Sequence, residues 1–125
     1  MYYHLVPQTE WRLCQEEGKP YYPKTYEADG FTHLSDNTDV LLSIGNHFYK
    51  TIPGRFLVLE VDPARLTSEV KLEPAAPVGE IKPHDTIDEK LFPHCYGPID
   101  LASVVKELKV DRSDDDGAFL GLEKA

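Results

Sequence analysis

The chain has few cysteines, few basic residues and no long apolar run. Cys14 and Cys95 are the only cysteines and neither lies in a Cys-x-x-Cys, so we expect free thiols in a reducing compartment rather than a disulfide framework. No stretch approaches the ~20 apolar residues of a membrane-spanning helix. The first residues also lack the basic and apolar regions of a secretory signal. These absences favour a cytoplasmic protein without a membrane partner.

Basic residues are outnumbered, with 13 Lys and Arg against 22 Asp and Glu and a formal charge of −9. This balance argues against binding to a nucleic-acid backbone, which depends on Lys and Arg displacing counterions. A small anionic ligand held by a local basic group remains compatible with it. The length suits a single α+β domain, which we assign to residues 1–111. Residues 112–125, with their run Asp114 to Asp116, are predicted to be an acidic, mobile tail.

Apolar periodicity predicts two helices in the N-terminal half, followed mainly by strands. The first helix is expected after Thr9 as N-cap and should end at Gly18, where a loop to Gly30 begins. The second is expected over Thr38 to Tyr49. Strands are predicted over 2–6, 31–35, 56–61, 70–73, 91–96 and 104–110, the last being the least distinct from a helix. This order indicates a twisted antiparallel or mixed sheet.

Three histidines, His4, His33 and His94, fall inside predicted strands. Either each imidazole is partly buried and bonded to a backbone carbonyl, or the three line a common site. His33 and Ser35 alternate along one strand and should share a face. Ser35 also precedes a helix N-terminus, which suits an anionic oxygen, although a capping role for Ser35 explains the same position.

Other candidates are suggested by neighbouring residues. Tyr96 shares a face with His94 beside the rigid Gly97-Pro98 turn, and it stacks either on the core or on a flat ligand ring. Arg55 follows the second helix and is a candidate phosphate clamp, or else simply solvated. A metal held by the three histidines is a weaker hypothesis, because none forms His-x-His or His-x-x-x-His, and no metal ligand is assigned.

Three segments resemble a widespread bacterial family of small proteins of unknown function. They are Tyr3-His4-Leu5-Val6, Asp29-Gly30-Phe31-Thr32-His33-Leu34-Ser35 and Phe92-Pro93-His94-Cys95-Tyr96-Gly97-Pro98-Ile99. Members of the family carry Gly-Phe-Ile-His-Cys/Leu-Ser and Phe-Pro-His-Leu-Tyr-Gly-Pro-Leu blocks. The resemblance covers nearly the whole chain. The polar region from Pro74 to Lys90 is the least constrained part, and we expect it to be a lid over the cleft.

The family is similar in fold to the ADP-ribosyltransferases, which implies an ADP-ribosyltransferase-like fold here. That resemblance implies that His4 corresponds to a histidine contacting the NAD ribose, and His33 to a tyrosine stacking on the ligand. Tyr49 then corresponds to a tyrosine of the following helix. The catalytic glutamate of the transferases has no counterpart, since Asp100 is the only carboxylate in the matching region. A shared fold therefore does not imply the shared reaction.

We therefore expect a cleft that binds NAD, ADP-ribose or another small phosphorylated ligand, with NAD as a candidate substrate. If the protein is catalytic, His33 and His94 are the expected acid–base groups. The alternatives are a non-enzymatic binding or regulatory module and a histidine metal site. The ligand-binding residues are expected to be His4, Ser35, Tyr96, Tyr49 and Arg55.

Overall fold

A computed structural model describes residues 1–74 and 91–123. In this part of the chain, helices and strands alternate irregularly, with most strands in the second half. The helices are α1 (Gln8–Glu17), α2 (Tyr26–Asp29) and α3 (Thr38–Phe48). The strands are β1 (Tyr2–Pro7), β2 (Thr32–His33), β3 (Phe56–Val61), β4 (Val70–Pro74), β5 (Leu91–Cys95), β6 (Val104–Arg112) and β7 (Phe119–Leu122).

The strands form two sheets in which every described pair is antiparallel, so the α+β class is confirmed. One sheet has the order β1-β3-β6-β7 and the other the order β2-β5-β4. The continuous apolar run Phe56–Val61 forms the inner strand β3, as its sequence predicts, because both faces of that strand are covered. The sheets are joined by backbone hydrogen bonds between Tyr3 and Ser35, with N···O distances of 2.7 and 2.9 Å.

The core lies on both faces of the larger sheet. Alternation along β1 sends Val6 to one face and Leu5 to the other. The Val6 face packs against Trp11 of α1 and against Cys95 at the end of β5. The Leu5 face packs against the apolar stripe of α3 and against Phe119 of β7. One face of the smaller sheet therefore packs against this core through Cys95, and its opposite face carries the histidines described below.

The helices differ from the prediction at their ends and in number. Helix α1 starts directly after β1, with Pro7 in the N-cap position, so Thr9 lies inside the helix and does not cap it. The predicted loop to Gly30 contains the single-turn helix α2, whose short length hides it from periodicity. Helix α3 agrees with the prediction, and the side chain of Asn37 caps it by accepting from the amide of Val40 at 3.0 Å.

The expected solvated tail is wrong for most of its length. Strand β6 runs to Arg112, Asp114 to Asp116 form a turn, and β7 returns antiparallel to β6. Phe119 is 4% exposed, and its backbone exchanges hydrogen bonds with Asn46 of α3. The acidic run therefore belongs to a hairpin turn, and the buried Phe119 beyond it packs this hairpin against the core.

Two further expectations concern a lid and the membrane. The predicted lid over 74–90 lies outside the described residues, apart from Pro74 at the end of β4. None of the described helices is long and apolar enough to cross a lipid bilayer.

Candidate functional site

Strand register places His33 and His94 directly opposite each other. His33 of β2 pairs with His94 of β5, and His94 pairs in turn with Lys71 of β4. Directly paired residues of antiparallel strands project to the same face, so the three side chains form one row across the sheet. The imidazole centroids of His33 and His94 are 5.7 Å apart, with the rings nearly perpendicular at 72°. We call this side of the sheet the histidine face.

His33 is held by a carboxylate from the end of helix α2, which precedes its strand. Nε2 of His33 lies 2.9 Å from Oδ2 of Asp29, whose side chain is 3% exposed. Gly30 ends helix α2 with a positive φ of 82°. The resulting change of chain direction brings His33, four residues after Asp29, within reach of the Asp29 carboxylate. A carboxylate accepts, so Nε2 carries the proton and Nδ1 is the acceptor of the neutral ring. Burial lowers the pKa of His33, and Asp29 partly opposes this.

His94 has a carboxylate partner of its own. Its Nδ1 lies 3.2 Å from Oε1 of Glu73, and that same oxygen accepts a very short hydrogen bond from the hydroxyl of Tyr96. Phe31 stacks on the imidazole with centroids 4.0 Å apart and an interplanar angle of 16°. Burial lowers the pKa of His94 despite the charge of Glu73. The hydrogen bonds from Tyr96 and His94 lower the pKa of Glu73, so this carboxylate is held in its ionised form.

His4 touches the backbone of this cluster and not its rings. Its Nδ1 donates to the carbonyl oxygen of His33 at 2.6 Å, and its ring lies 5.7 Å from that of Tyr21. The carbonyl fixes the tautomer, because Nδ1 must carry the proton. Nε2 is then a buried acceptor without a hydrogen-bond partner in the described part of the chain. Burial lowers the pKa of His4 to about 4, so the ring stays neutral over the usual pH range.

The chain belongs to the DUF952 family. The model of this family, described as a protein of unknown function, matches residues 5–107. That range includes His33, His94 and the residues that hold them, and it begins one residue after His4. The predicted family is therefore confirmed. No curated protein matches the chain.

Solved structures of one protein share the fold of this DUF952 member. They are of CC0527 from Caulobacter crescentus. Its crystal structure is 22% identical, with a TM-score of 0.70 over 95% of this chain and 92% of the other. Its solution NMR structure is also 22% identical, with a TM-score of 0.65 over 94% and 90%. This likeness supports the α+β architecture alone. The relationship to ADP-ribosyltransferases is not shown by it and stays a prediction.

Of the other predicted site residues of this DUF952 chain, Tyr96 lies at the histidine face, bonded to Glu73, whereas Ser35 and Arg55 do not. Ser35 is fully buried, and its hydroxyl donates to the carbonyl of Asn37 at 3.0 Å, so it stabilises the turn before α3. Arg55 is exposed just before β3, four residues from Leu59, the partner of His4, or roughly 13 Å along an extended strand. Tyr49 packs on Phe56 with centroids 6.1 Å apart.

Tyr49 nevertheless lies close enough to Asp29 to feel its charge. Burial raises the pKa of the Tyr49 phenol, and the carboxylates of Asp29 and Glu10 add to this. Its hydroxyl is therefore a neutral group over the usual pH range. Arg55 therefore lies apart from the site, while a ligand-binding role for Tyr49 stays a prediction.

Sequence reasoning did not select four residues that shape the histidine face: Asp29, Phe31, Lys71 and Glu73. Asp29 lies four residues before His33, and this spacing was a usable signal. Lys71 and Glu73 alternate on β4, so they share a face. Only the register between β4 and β5 shows that this face is the one carrying His94. Within residues 1–74 and 91–123, no three His, Cys, Asp or Glu side chains are grouped as metal ligands.

Proposed function

We propose that this DUF952 protein binds a small phosphorylated, nucleotide-like ligand on the histidine face. The observation that carries the proposal is the side-by-side pair of imidazoles, each oriented by its own carboxylate from a different element. A purely structural role would explain why each buried histidine has a hydrogen-bond partner. It would not explain why the two rings face one another on the same side of a sheet. Residues with perturbed pKa values grouped in this way favour a functional site.

The pair supplies groups suited to acid–base work. Each carboxylate fixes one imidazole nitrogen as the donor, which leaves Nδ1 of His33 and Nε2 of His94 as acceptors when the rings are neutral. The side chain of His33 is 20% exposed and that of His94 only 3%. His33 is therefore the residue that contacts the ligand. His94 lies beneath Phe31 and acts through Glu73.

Aromatic side chains beside the pair suit a flat ring. The ring of Phe31 is 4.6 Å from that of His33 and 5.6 Å from that of Tyr96. Tyr96 is 38% exposed, and the ammonium group of Lys71 lies 5.0 Å from its ring centre. An adenine or nicotinamide ring stacked on Tyr96 would bring an attached phosphate towards Lys71. NAD and ADP-ribose are accordingly the first ligands to test, together with AMP.

Binding is tested by nuclear magnetic resonance of the imidazole signals. AMP, ADP-ribose and NAD are each titrated to millimolar concentration into the full chain, at pH 5.5 and again at pH 7. We expect shifts at His33, His94 and Tyr96, while His47, exposed on the outer helix α3, serves as an internal reference. The absence of a selective response to any of the three ligands at both pH values would contradict the proposal.

Matched variants separate the site from the rest of the surface. His33→Ala should abolish the shifts at Tyr96, whereas His47→Ala should leave them unchanged. An enzyme converts its ligand and a binding module releases it intact, so the bound ligand is recovered and analysed for cleavage products. Recovery of intact NAD and ADP-ribose after prolonged incubation would favour the non-enzymatic module, and conversion lost in His33→Ala would favour the enzyme.

A further inference from the structure

The histidine face carries more negative than positive charge when its imidazoles are neutral. Asp29 bonds to His33, Glu73 bonds to His94, and the charge of Glu69 acts on Tyr96. In the described part of the chain, Lys71 is the cation that the structure places beside these groups. A phosphate brought to this face would meet a net repulsion, since like charges at such distances disfavour each other.

Protonation of His33 reduces that repulsion by one charge, and it leaves both ring nitrogens able to donate a hydrogen bond. Nε2–H already donates to Asp29. A proton added at Nδ1 turns the remaining acceptor into a donor, which can bond to a phosphate oxygen. The other groups around His33 do not compete for this role. His4 donates to the carbonyl of His33, and His94 is bonded to Glu73 and covered by Phe31.

The strand register puts the second positive charge on the same row. His33 and Lys71 flank His94, so their backbones are two strand spacings apart, roughly 10 Å. The ring of His94 and the ring of Phe31 stacked on it lie between these two positions, so the phosphate would sit on the solvent side of Phe31, where the long, exposed side chain of Lys71 extends towards it. Two positive charges, one permanent and one acquired, match the two negative charges of a phosphate monoester.

We propose that the ligand carries a terminal phosphate monoester that lies between Lys71 and His33, and that its binding adds one proton to Nδ1 of His33. The inference rests on the proposed function and narrows it from phosphorylated ligands in general to those with a terminal phosphate. An internal pyrophosphate, as in ADP-ribose or NAD, offers one charge per phosphorus and needs no such proton. Affinity for the monoester therefore falls as the pH rises.

The test is calorimetry with AMP as the monoester and ADP-ribose as the comparison. At pH 7, titrations in two buffers with different heats of ionisation give the number of protons taken up. We expect close to one for AMP. Its affinity should fall about tenfold for each pH unit between 6.5 and 8, because AMP itself stays a dianion over most of that range. Circular dichroism at each pH verifies that the protein is folded.

Three variants assign the charges. His33→Gln should bind AMP without proton uptake and with little pH dependence. Lys71→Gln, a change at an exposed position, should weaken AMP binding about tenfold or more at every pH while proton uptake continues. Lys106→Gln, on β6, is the matched control and should behave as the wild type.

The outcomes separate this inference from the proposed function. AMP binding without proton uptake in the wild type, equal uptake in His33→Gln, or unchanged affinity in Lys71→Gln would each overturn the inference and leave ligand binding in place. Preference for ADP-ribose over AMP at pH 6 would do the same. If AMP, ADP-ribose and NAD all fail to bind at any pH, the proposed function itself fails.

Discussion

His33 and His94 face each other across β2 and β5 with ring centroids 5.7 Å apart, and each is bonded to a carboxylate from a different element. Asp29 comes from the end of α2, before β2, while Glu73 comes from β4, on the far side of His94. Burial favours the neutral form of both rings, and the proximity of His94 adds to this for His33, whereas the carboxylates favour the charged forms. The state of the pair therefore depends on carboxylates that can be removed one at a time.

Asp29→Asn should lower the pKa of His33 further. The carboxylate raises that pKa through its hydrogen bond and its charge, so its removal leaves burial unopposed. Histidine titration followed by nuclear magnetic resonance measures the change. Asp39→Asn, at the first turn of α3, is the matched control and should leave His33 unchanged. A pKa of His33 that stays the same or rises in Asp29→Asn would show that the Asp29–His33 pair is not formed in solution.

His4 should make the protein sensitive to mild acid. Its pKa is about 4 in the folded chain against an ordinary value of 6.5, so between these values the unfolded chain binds a proton that the folded chain does not. This contribution to the free energy of unfolding is fully present above pH 6.5. It is lost as the pH falls to about 4, and it amounts to about 3 kcal/mol.

The variant His4→Asn tests that dependence. Asparagine places an amide N–H near the position of Nδ1 and does not titrate, so it keeps the hydrogen bond to the carbonyl of His33. Urea unfolding at several pH values should show a flatter profile between pH 6.5 and 4 than the wild type gives. His47→Asn serves as the control and should leave the profile unchanged. Parallel profiles for His4→Asn and the wild type would mean that His4 is not the buried neutral group.

Arg112 should be the strongest single anchor of the C-terminal hairpin. Its guanidinium donates to the carbonyls of Gly117 and Gly54 at 2.8 and 2.7 Å and to that of Lys50 at 2.9 Å, and it lies over the ring of Phe119. Lysine cannot reproduce this planar fork. We expect Arg112→Lys to reduce the free energy of unfolding by about 2–4 kcal/mol in urea.

A matched exposed arginine controls for the loss of the guanidinium itself. Arg65, in the turn after β3, forms an ion pair with the nearby Asp62 at 3.6 Å, and its side chain is 62% exposed. Arg65→Lys should change the unfolding free energy by less than about 0.5 kcal/mol. Equal effects of the two substitutions would contradict an anchoring role for Arg112.

Glu107 should fasten α1 to the larger sheet. One of its carboxylate oxygens accepts from Nε1 of Trp11 at 2.7 Å and from Arg12 at 2.8 Å, and these bonds lower its pKa. A lowered pKa stabilises the fold above the ordinary value near 4.5, and that stability is lost as the pH falls below it. Glu107→Gln should cost about 1–2 kcal/mol at pH 7 and less below pH 4.

Fluorescence of the single tryptophan monitors this prediction, because Trp11 is 1% exposed in the folded chain. Glu16→Gln on the exposed side of α1 is the control. If the difference in free energy of unfolding between the wild type and Glu107→Gln does not become smaller on acidification, the charge of Glu107 does not contribute to stability.

The sequence correctly predicted those helices and strands whose apolar pattern extends over several residues. The apolar run Phe56–Val61 is the inner strand β3, and the stripe of α3 lies on the core. The α+β class and the family were inferred from such segments. Helix α2 was missed because a single turn shows no apolar periodicity. Strand β7 was missed because the three consecutive aspartates before it suggested a solvated tail, although Phe119 is buried.

By itself the sequence determined that three histidines lie on strands and that His33 and His94 belong to conspicuous motifs. It could not determine which of them meet, because that depends on register between strands far apart in the chain. The register of β2, β5 and β4 joins His33, His94 and Lys71 into one row and brings Asp29 and Glu73 to the rings. The hydrogen bonds between Tyr3 and Ser35 bring β1, and with it His4, to the backbone carbonyl of His33, while the pairing of β1 with β3 keeps Arg55 away. The sequence shows directly which side chains are present on each strand. Which of them come into contact depends on the pairing of strands that are far apart in the chain.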